Sequence, residues 1–210
     1  MKNLALLPIA FSLAILYATS LPIFAQSKRY PTDLELQILD NKLRSFAASP
    51  PKEESRGAYV IDRRDRQSIQ ELNSFVKAWS QIEPEAAPFF GNWMGLEETK
   101  SIYPSTVKGR VCIVDTFIPP NDGIGISFSQ GTLYKGKIKT SDPSILMVKG
   151  NYLGVAFVNK KNQPGIYEYA WPKPLKNPDE LMRFNPRSER NRLLQQFKAA
   201  GCTYSLPNKI

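Results

Sequence analysis

The stretch RVCIVDTFIPPNDGIGISFSQGTLYKGKIKT, residues 110–140, alternates β-prone runs with short turn signals. It predicts three strands, which are Arg110–Ile118, Ile124–Ser129 and Thr132–Thr140. The connections at 119–123 and 130–131 are too short to hold a crossover helix. Neighbouring strands are therefore expected to run antiparallel, as a meander.

Strand signals continue on both sides of this stretch. Four further strands are predicted: Trp93–Thr99, Ile145–Val148, Tyr152–Asn159 and Ile166–Trp171. Within the strand that starts at Ile124, alternation places Ile124, Ile126 and Phe128 on one face and Gly125, Ser127 and Ser129 on the other. The run Val111–Val114 is apolar on both faces, which indicates that another element covers its outer side.

Helical signals flank the predicted sheet. Thr32 with Glu35 forms a capping box that opens a helix, and its apolar stripe is Leu34, Ile38, Leu39, Leu43 and Phe46. Ser68 with Glu71 opens a second helix with a strong amphipathic pattern. Near the C-terminus, Asn177-Pro178 and Asn185-Pro186 each begin a helix, and Gly201 ends the second.

These elements define the expected fold class and domains. The fold is α+β: a small antiparallel β-meander, closed or nearly closed into a barrel, with two N-terminal helices and a C-terminal helix packed on it. Residues 26–88 form the N-terminal helical segment with a charged linker, and residues 89–210 form the barrel-like domain with its C-terminal helix.

The first 25 residues have the pattern of an export signal. Lys2 precedes an apolar run over 4–18, and small and polar residues lead to Ala25. The apolar run is shorter than the roughly 20 residues that a membrane span needs. We expect a secreted or periplasmic protein, and retention of the segment as a membrane anchor is the alternative.

Composition excludes several kinds of chemistry. The 210 residues include no histidine, so Ser-His-Asp and Cys-His catalysis and histidine-ligated metals are excluded, and no cofactor or metal is expected. There are 28 Lys and Arg against 19 Asp and Glu. In an exported protein this charge favours acidic lipid, acidic polysaccharide or an acidic envelope partner over nucleic acid, although it also serves solubility.

The two cysteines are predicted to form a disulfide. Cys112 and Cys202 both follow the signal, and an exported chain with one pair usually bridges it. The bond would attach the end of the C-terminal helix to the strand that contains Cys112.

The residues Phe90-Gly91-Asn92-Trp93-Met94-Gly95 resemble the Phe-x-Gly-x-Trp opening of the lipocalin and wider calycin barrels. The resemblance implies a barrel whose first strand bends at the glycine and whose tryptophan plugs one end. The chain departs from that pattern in its long helical prefix and in having seven predicted strands where eight are expected. A tryptophan that anchors any small curved sheet is the alternative interpretation.

Two sets of side chains are candidate binding residues. The first is an aromatic wall for a small hydrophobic or sugar-like ligand, with packing under a helix as the alternative: Trp93, Tyr103, Tyr134, Tyr167, Tyr169 and Trp171. The second is a basic cluster that would bind phosphate or carboxylate: Arg183, Arg187 and Arg190.

Three functions remain open at this point. The sequence favours a non-catalytic binding module for a small ligand or an envelope partner. A structural or assembly protein of the cell envelope without a pocket is the first alternative. A carboxylate-dependent hydrolase is the second, with Glu97 and Glu168 as a conceivable pair.

The export prediction is tested by N-terminal sequencing of protein from its own cells. Cleavage after Ala25 should give a mature chain that begins at Gln26. An intact Met1 in the membrane fraction would contradict cleavage and support the anchor.

Overall fold

The computed structural model describes residues 29–50, 61–118 and 124–207. Eight antiparallel strands pair in sequence order, and β1 pairs with β8, so the sheet is a closed barrel. The strands are β1 Gly91–Met94, β2 Glu98–Pro104, β3 Arg110–Phe117, β4 Gly125–Tyr134, β5 Lys137–Thr140, β6 Ser144–Lys149, β7 Tyr152–Val158 and β8 Pro164–Lys173. The predicted signal lies outside the described residues.

The barrel has one strand more than the sequence predicts. The predicted strand Trp93–Thr99 is two strands, because a turn at 95–97 separates β1 from β2 and the Gly95 N–H donates to the Glu98 carbonyl at 2.8 Å. Gln130-Gly131 is not a turn. β4 continues through it, and the turn falls at Lys135-Gly136, where both residues have positive φ as a two-residue hairpin turn requires.

Closure between β1 and β8 depends on an irregular register. Asn92 pairs with Lys173 and Met94 with Ala170, and the register shifts between them. Trp171 adopts a φ of 50° at this shift. Gly91 has a φ of 144°, and a Cβ there would lie 3.0 Å from Pro172 Cβ, so the closing strands approach at a position that only glycine fits.

We call the half of the barrel interior next to the start of β1 the lower half, and it is a packed apolar core. It is filled by Trp93, Ile102, Val111, Ile113, Ile138, Leu146, Leu153 and Val155. Trp93 is 1% exposed, and its Nε1 donates to the Phe89 carbonyl at 2.7 Å. Phe89 is also the phenylalanine that stands at the Phe-x-Gly-x-Trp spacing from Gly91 and Trp93, whereas Phe90 is one residue too close. It lies in the 3₁₀ turn Ala87–Phe89.

Helix α2, Arg66–Trp79, closes this lower end. It begins two residues before the predicted Ser68, because the Asp65 side chain accepts the Ser68 N–H and caps the helix. Phe75 and Trp79 pack against Phe90, with ring centroids 6.4 and 6.0 Å from it.

Helix α1, Asp33–Ala48, covers the outer face of β6–β8. It buries Leu36, Leu39, Leu43 and Phe46, whereas the predicted stripe residues Leu34 and Ile38 are exposed on the opposite side. The predicted capping box is confirmed. Hydrogen bonds from Arg29 and from the Thr32 N–H lower the pKa of Glu35 to about 2.

Helices α3, Pro178–Leu181, and α4, Arg187–Ala199, cover the outer face of β2–β4. They bury Tyr103, Cys112, Val114 and Ile126 with Leu193 and Phe197. The prediction that the outer side of Val111–Val114 is covered is confirmed. Within the described ranges, the helices are all too short or too polar to cross a bilayer.

A disulfide joins Cys112 on β3 to Cys202 after α4, as the sequence predicted, with the Cα atoms 5.9 Å apart. Cys202 also forms a β-bridge with Ser105, beside the end of β2. Gly201 has a φ of 69°, and a Cβ there would lie 2.4 Å from the Thr106 Oγ1. Glycine thus lets the chain leave the helix and pass close against the barrel.

The variant C112S/C202S is expected to lose about 4–5 kcal/mol of unfolding free energy, because the bond closes a loop of 90 residues. Chemical denaturation measures the loss, and amide exchange should rise first in α4. Two titratable thiols in the unreduced, denatured wild-type protein would contradict the bond.

Candidate functional site

The upper half of the barrel interior differs from the lower half in being polar. We call the end at which β2, β4, β6 and β8 begin the mouth. In the antiparallel register Lys100 faces Asp115, Asp115 faces Ser127, and Ile113 faces Ser129. Because paired residues share a face of the sheet, these side chains point inward with Ile113 and Trp93. We call Glu98, Lys100, Asp115, Ser127, Ser129, Tyr167 and Tyr169 the mouth cluster.

An ion pair lies at the centre of the mouth cluster. The Lys100 Nζ bonds the Asp115 Oδ1, and the two side chains are 11% and 21% exposed. The same ammonium lies 5.7 Å from the centroid of the Tyr169 ring. Lys100 is therefore held by a carboxylate and an aromatic face together.

Tyr169 connects this ion pair to a second carboxylate. Its hydroxyl donates to the Glu98 Oε1, and the residue is 3% exposed. Burial raises the pKa of Tyr169 well above its usual value, and the charges of Glu98 and Asp115 raise it further. The phenol therefore stays protonated and donates a hydrogen bond across the neutral range.

Aromatic rings lie along the wall of the mouth. Tyr167 stacks on Phe157 with centroids 5.0 Å apart and planes at 15°. A Cβ at Gly165 would lie 2.7 Å from the Phe157 ring, and a Cβ at Gly125 would lie 2.4 Å from the Phe117 ring. The two glycines thus make room for the rings to lie over neighbouring strands. Ser127, although it faces the barrel interior, is exposed.

The structure separates the six predicted aromatic residues. Trp93, Tyr167 and Tyr169 lie in the barrel interior. The other three lie outside: Tyr103 is buried under α4, Tyr134 is exposed, and Trp171 packs on Tyr152 with centroids 5.3 Å apart. Trp171 leaves the face of Tyr167 and Tyr169 because its positive φ interrupts the alternation.

Of the three predicted arginines, Arg190 is engaged by a carboxylate. Arg190 pairs with Asp179 on α3, with the Arg190 Nε 2.9 Å from the Asp179 Oδ1, and this hydrogen bond lowers the pKa of Asp179. Arg183 and Arg187 are exposed, on the 3₁₀ turn Met182–Phe184 and at the start of α4. The Arg190 contact links α3 to α4.

The predicted carboxylate pair does not face one cleft. Glu97 is exposed in the turn between β1 and β2, and Glu168 is paired with Gly154, whose neighbours are Leu43 and Ile166 under α1. Glu98 and Asp115 are the carboxylates that meet in the mouth. The signal that could have identified the mouth was the serine face of β4, Ser127 and Ser129, opposite its apolar residues.

A second concave surface lies outside the barrel. It is a groove of about 410 Å³ between α2, the segment after β8 and the C-terminal tail, lined by Gln70, Glu71, Ser74, Phe75, Pro174, Leu175, Tyr204 and Leu206. Its walls are mainly apolar, and Glu71 is the charged side chain among its lining residues.

No protein-family model, curated protein or solved structure matches the chain.

The variant Y169F should lose about 1.5–3 kcal/mol of unfolding free energy at neutral pH, because the Glu98 carboxylate loses a charge-assisted hydrogen bond. The pKa of Tyr169 is higher in the folded chain than its usual value of 10.0, so its protonation stabilises the fold fully below about pH 10. This stabilisation is lost as the pH rises from there towards the folded-state pKa. The difference between wild type and Y169F in urea denaturation should therefore shrink from pH 7 to pH 11.

The control is Y204F, which removes the hydroxyl of an exposed tyrosine. It should match the wild type at each pH. A Y169F difference that stays constant to pH 11 would contradict the raised pKa.

Proposed function

We propose that the chain is an exported, non-catalytic binding module that takes a small organic ligand at the mouth of its barrel. The observation that carries the proposal is the contrast between the two halves of the interior. The lower half is filled by side chains that are nearly all fully buried, whereas Ser127 in the upper half is reached by solvent. A polar end of a barrel interior that solvent reaches is a favourable place for a ligand.

The chemistry of the mouth supports a ligand with a ring and hydrogen-bonding groups. The Phe157–Tyr167 stack offers a flat apolar surface, and Ser127 and Ser129 offer hydroxyls that both donate and accept. Lys100 and Asp115 supply fixed charges beside them. A small hydrophobic or sugar-like molecule fits this combination.

The lipocalin resemblance forms part of the same proposal. It is supported by the eight-stranded antiparallel barrel, by Trp93 at the closed end and by the contact of Trp93 with Phe89. The helical prefix that becomes α1 and α2 remains a departure from that family's pattern.

Two alternative functions predict different properties of the mouth. A structural envelope protein would have a mouth occupied by its own side chains, with the Lys100–Asp115 pair as a plug. The hydrolase alternative is favoured by one observation, that Glu98 and Asp115 share the mouth, although each already has a partner, Tyr169 and Lys100 respectively.

The test is native mass spectrometry of the full chain purified from its own cells. Wild type should carry an added small-molecule mass, and S129F should lack it, because a phenyl ring at position 129 points into the interior beside Ile113. The control S45F places the same ring on an exposed site of α1 and should retain the added mass.

Stability of the same variants separates the alternatives. If the mouth is open, S129F should unfold at nearly the same denaturant concentration as S45F. A loss of about 1–3 kcal/mol in S129F, with no added mass on wild type, would indicate a filled plug and overturn the binding proposal. If the bound molecule is hydrolysed by the wild type but remains intact on E98Q, the result would support the hydrolase.

A further inference from the structure

A strip of the barrel's outer surface lies between the two helical covers. α1 packs on β6–β8, and α4 packs on Val114, Ile126 and Phe128. In the lower half of β3–β5, Arg110, Thr132 and Lys139 lie in line across three strands, and Tyr134 lies opposite Lys137. These residues point outward because their neighbours Val111 and Ile138 belong to the interior core.

This strip is strongly basic. We call Lys108, Arg110, Tyr134, Lys135, Lys137 and Lys139 the basic face. Lys137 and Lys139 are two residues apart on one strand, so their Cα atoms are about 7 Å apart. Lys108 precedes Gly109, whose carbonyl accepts the N–H of Leu133 on β4. Lys108 therefore lies beside the strip.

The cations of the basic face have few carboxylate partners. Asp33 pairs with Lys135, with the Nζ and Oδ2 atoms 3.2 Å apart. Arg110, Lys137 and Lys139 form no ion pair with the carboxylates of the described chain, and the buried Glu83 beside the loop accepts the Gly109 N–H at 3.0 Å. Like charges without partners repel one another, and an anionic ligand would relieve that repulsion.

Tyrosine rings lie among these cations. The Lys139 Nζ is 4.0 Å from the centroid of the Tyr30 ring and 5.9 Å from that of Tyr134, and the Lys135 Nζ is 5.1 Å from the Tyr134 ring. Tyr134 is 36% exposed and is the aromatic side chain of the basic face, and Val107, which precedes Lys108, is 43% exposed. Flat rings beside cations suit sugar rings that carry acidic groups. Insertion into a lipid layer would instead use a larger apolar surface of Trp, Phe or Leu side chains, which the basic face does not contain.

We infer that the basic face binds an acidic polysaccharide, with Arg110, Lys137 and Lys139 holding its sulfate or carboxylate groups and Tyr134 contacting a sugar ring. The site is on the outer wall and is independent of the mouth, so it stands whether or not the mouth binds a ligand.

The test measures binding of the full chain to heparin and to polygalacturonate by calorimetry at several salt concentrations. Wild type should bind, and its affinity should fall with added salt because screening weakens exposed charge pairs. The variant R110Q/K137Q/K139Q should lose at least tenfold in affinity. Its control, K42Q/K160Q/K161Q, removes three exposed charges elsewhere and should stay within twofold of wild type.

Further variants distinguish binding at the basic face from attraction by net charge and from binding to a membrane surface. Y134S should weaken polysaccharide binding severalfold at unchanged charge, Y134F should retain it, and circular dichroism should show that all variants are folded. Equal losses in the two triple variants would overturn the assignment, because net charge alone would then be responsible. Binding to phosphatidylglycerol vesicles without binding to either polysaccharide would overturn it in favour of a membrane surface.

Discussion

The pairing of β1 with β8 is the constraint on which the remaining structure depends. It gives the sheet an inside and an outside and removes the unpaired edges that an open meander would present. It requires Gly91 at the close approach to Pro172 and a register shift that turns Trp171 outward. The same closure brings Trp93 into the lower interior, where Phe89 fixes its indole, and so determines which end of the barrel is filled.

Closure also fixes the electrostatic environment of the upper interior. Lys100, Asp115 and Glu98 come from β2 and β3, and Tyr169 comes from β8, so they meet only because β1 bridges β2 to β8. Charged groups that lose water need partners, and here the ion pair and the phenol hydroxyl provide them. The mouth cluster is therefore a product of the topology, and its members are scattered along the chain.

Local patterns predicted the meander, the capping box of α1 and the disulfide, because each depends on residues whose chemistry is visible in the sequence. The strand count was wrong at Gly95, where a turn without a Pro or Asn signal divides one β-prone run. The structure separates the residues of the predicted aromatic wall: Tyr103 and Tyr134 lie on the outer face of their strands, and alternation fails at Trp171, where no sequence feature marks a positive φ. Of the mouth cluster, only the serine face of β4 could be read from the sequence, since the contact of Glu98 with Tyr169 requires the closure of the barrel between distant strands.

The hydrophobic core is divided between the inside and the outside of the barrel, and this division explains why polar groups can occupy the interior. β4 turns Ile126 and Phe128 outward beneath α4 and its serines inward, and β6 turns Ile145 and Met147 outward beneath α1. Burial beneath the two helices stabilises the sheet from outside, at roughly 25 cal/mol per Å² of apolar surface. The upper interior is thereby released from serving as core. The helices, the disulfide that anchors α4 and the polar mouth are thus parts of one arrangement, in which the outer covers stabilise a barrel whose upper interior is polar.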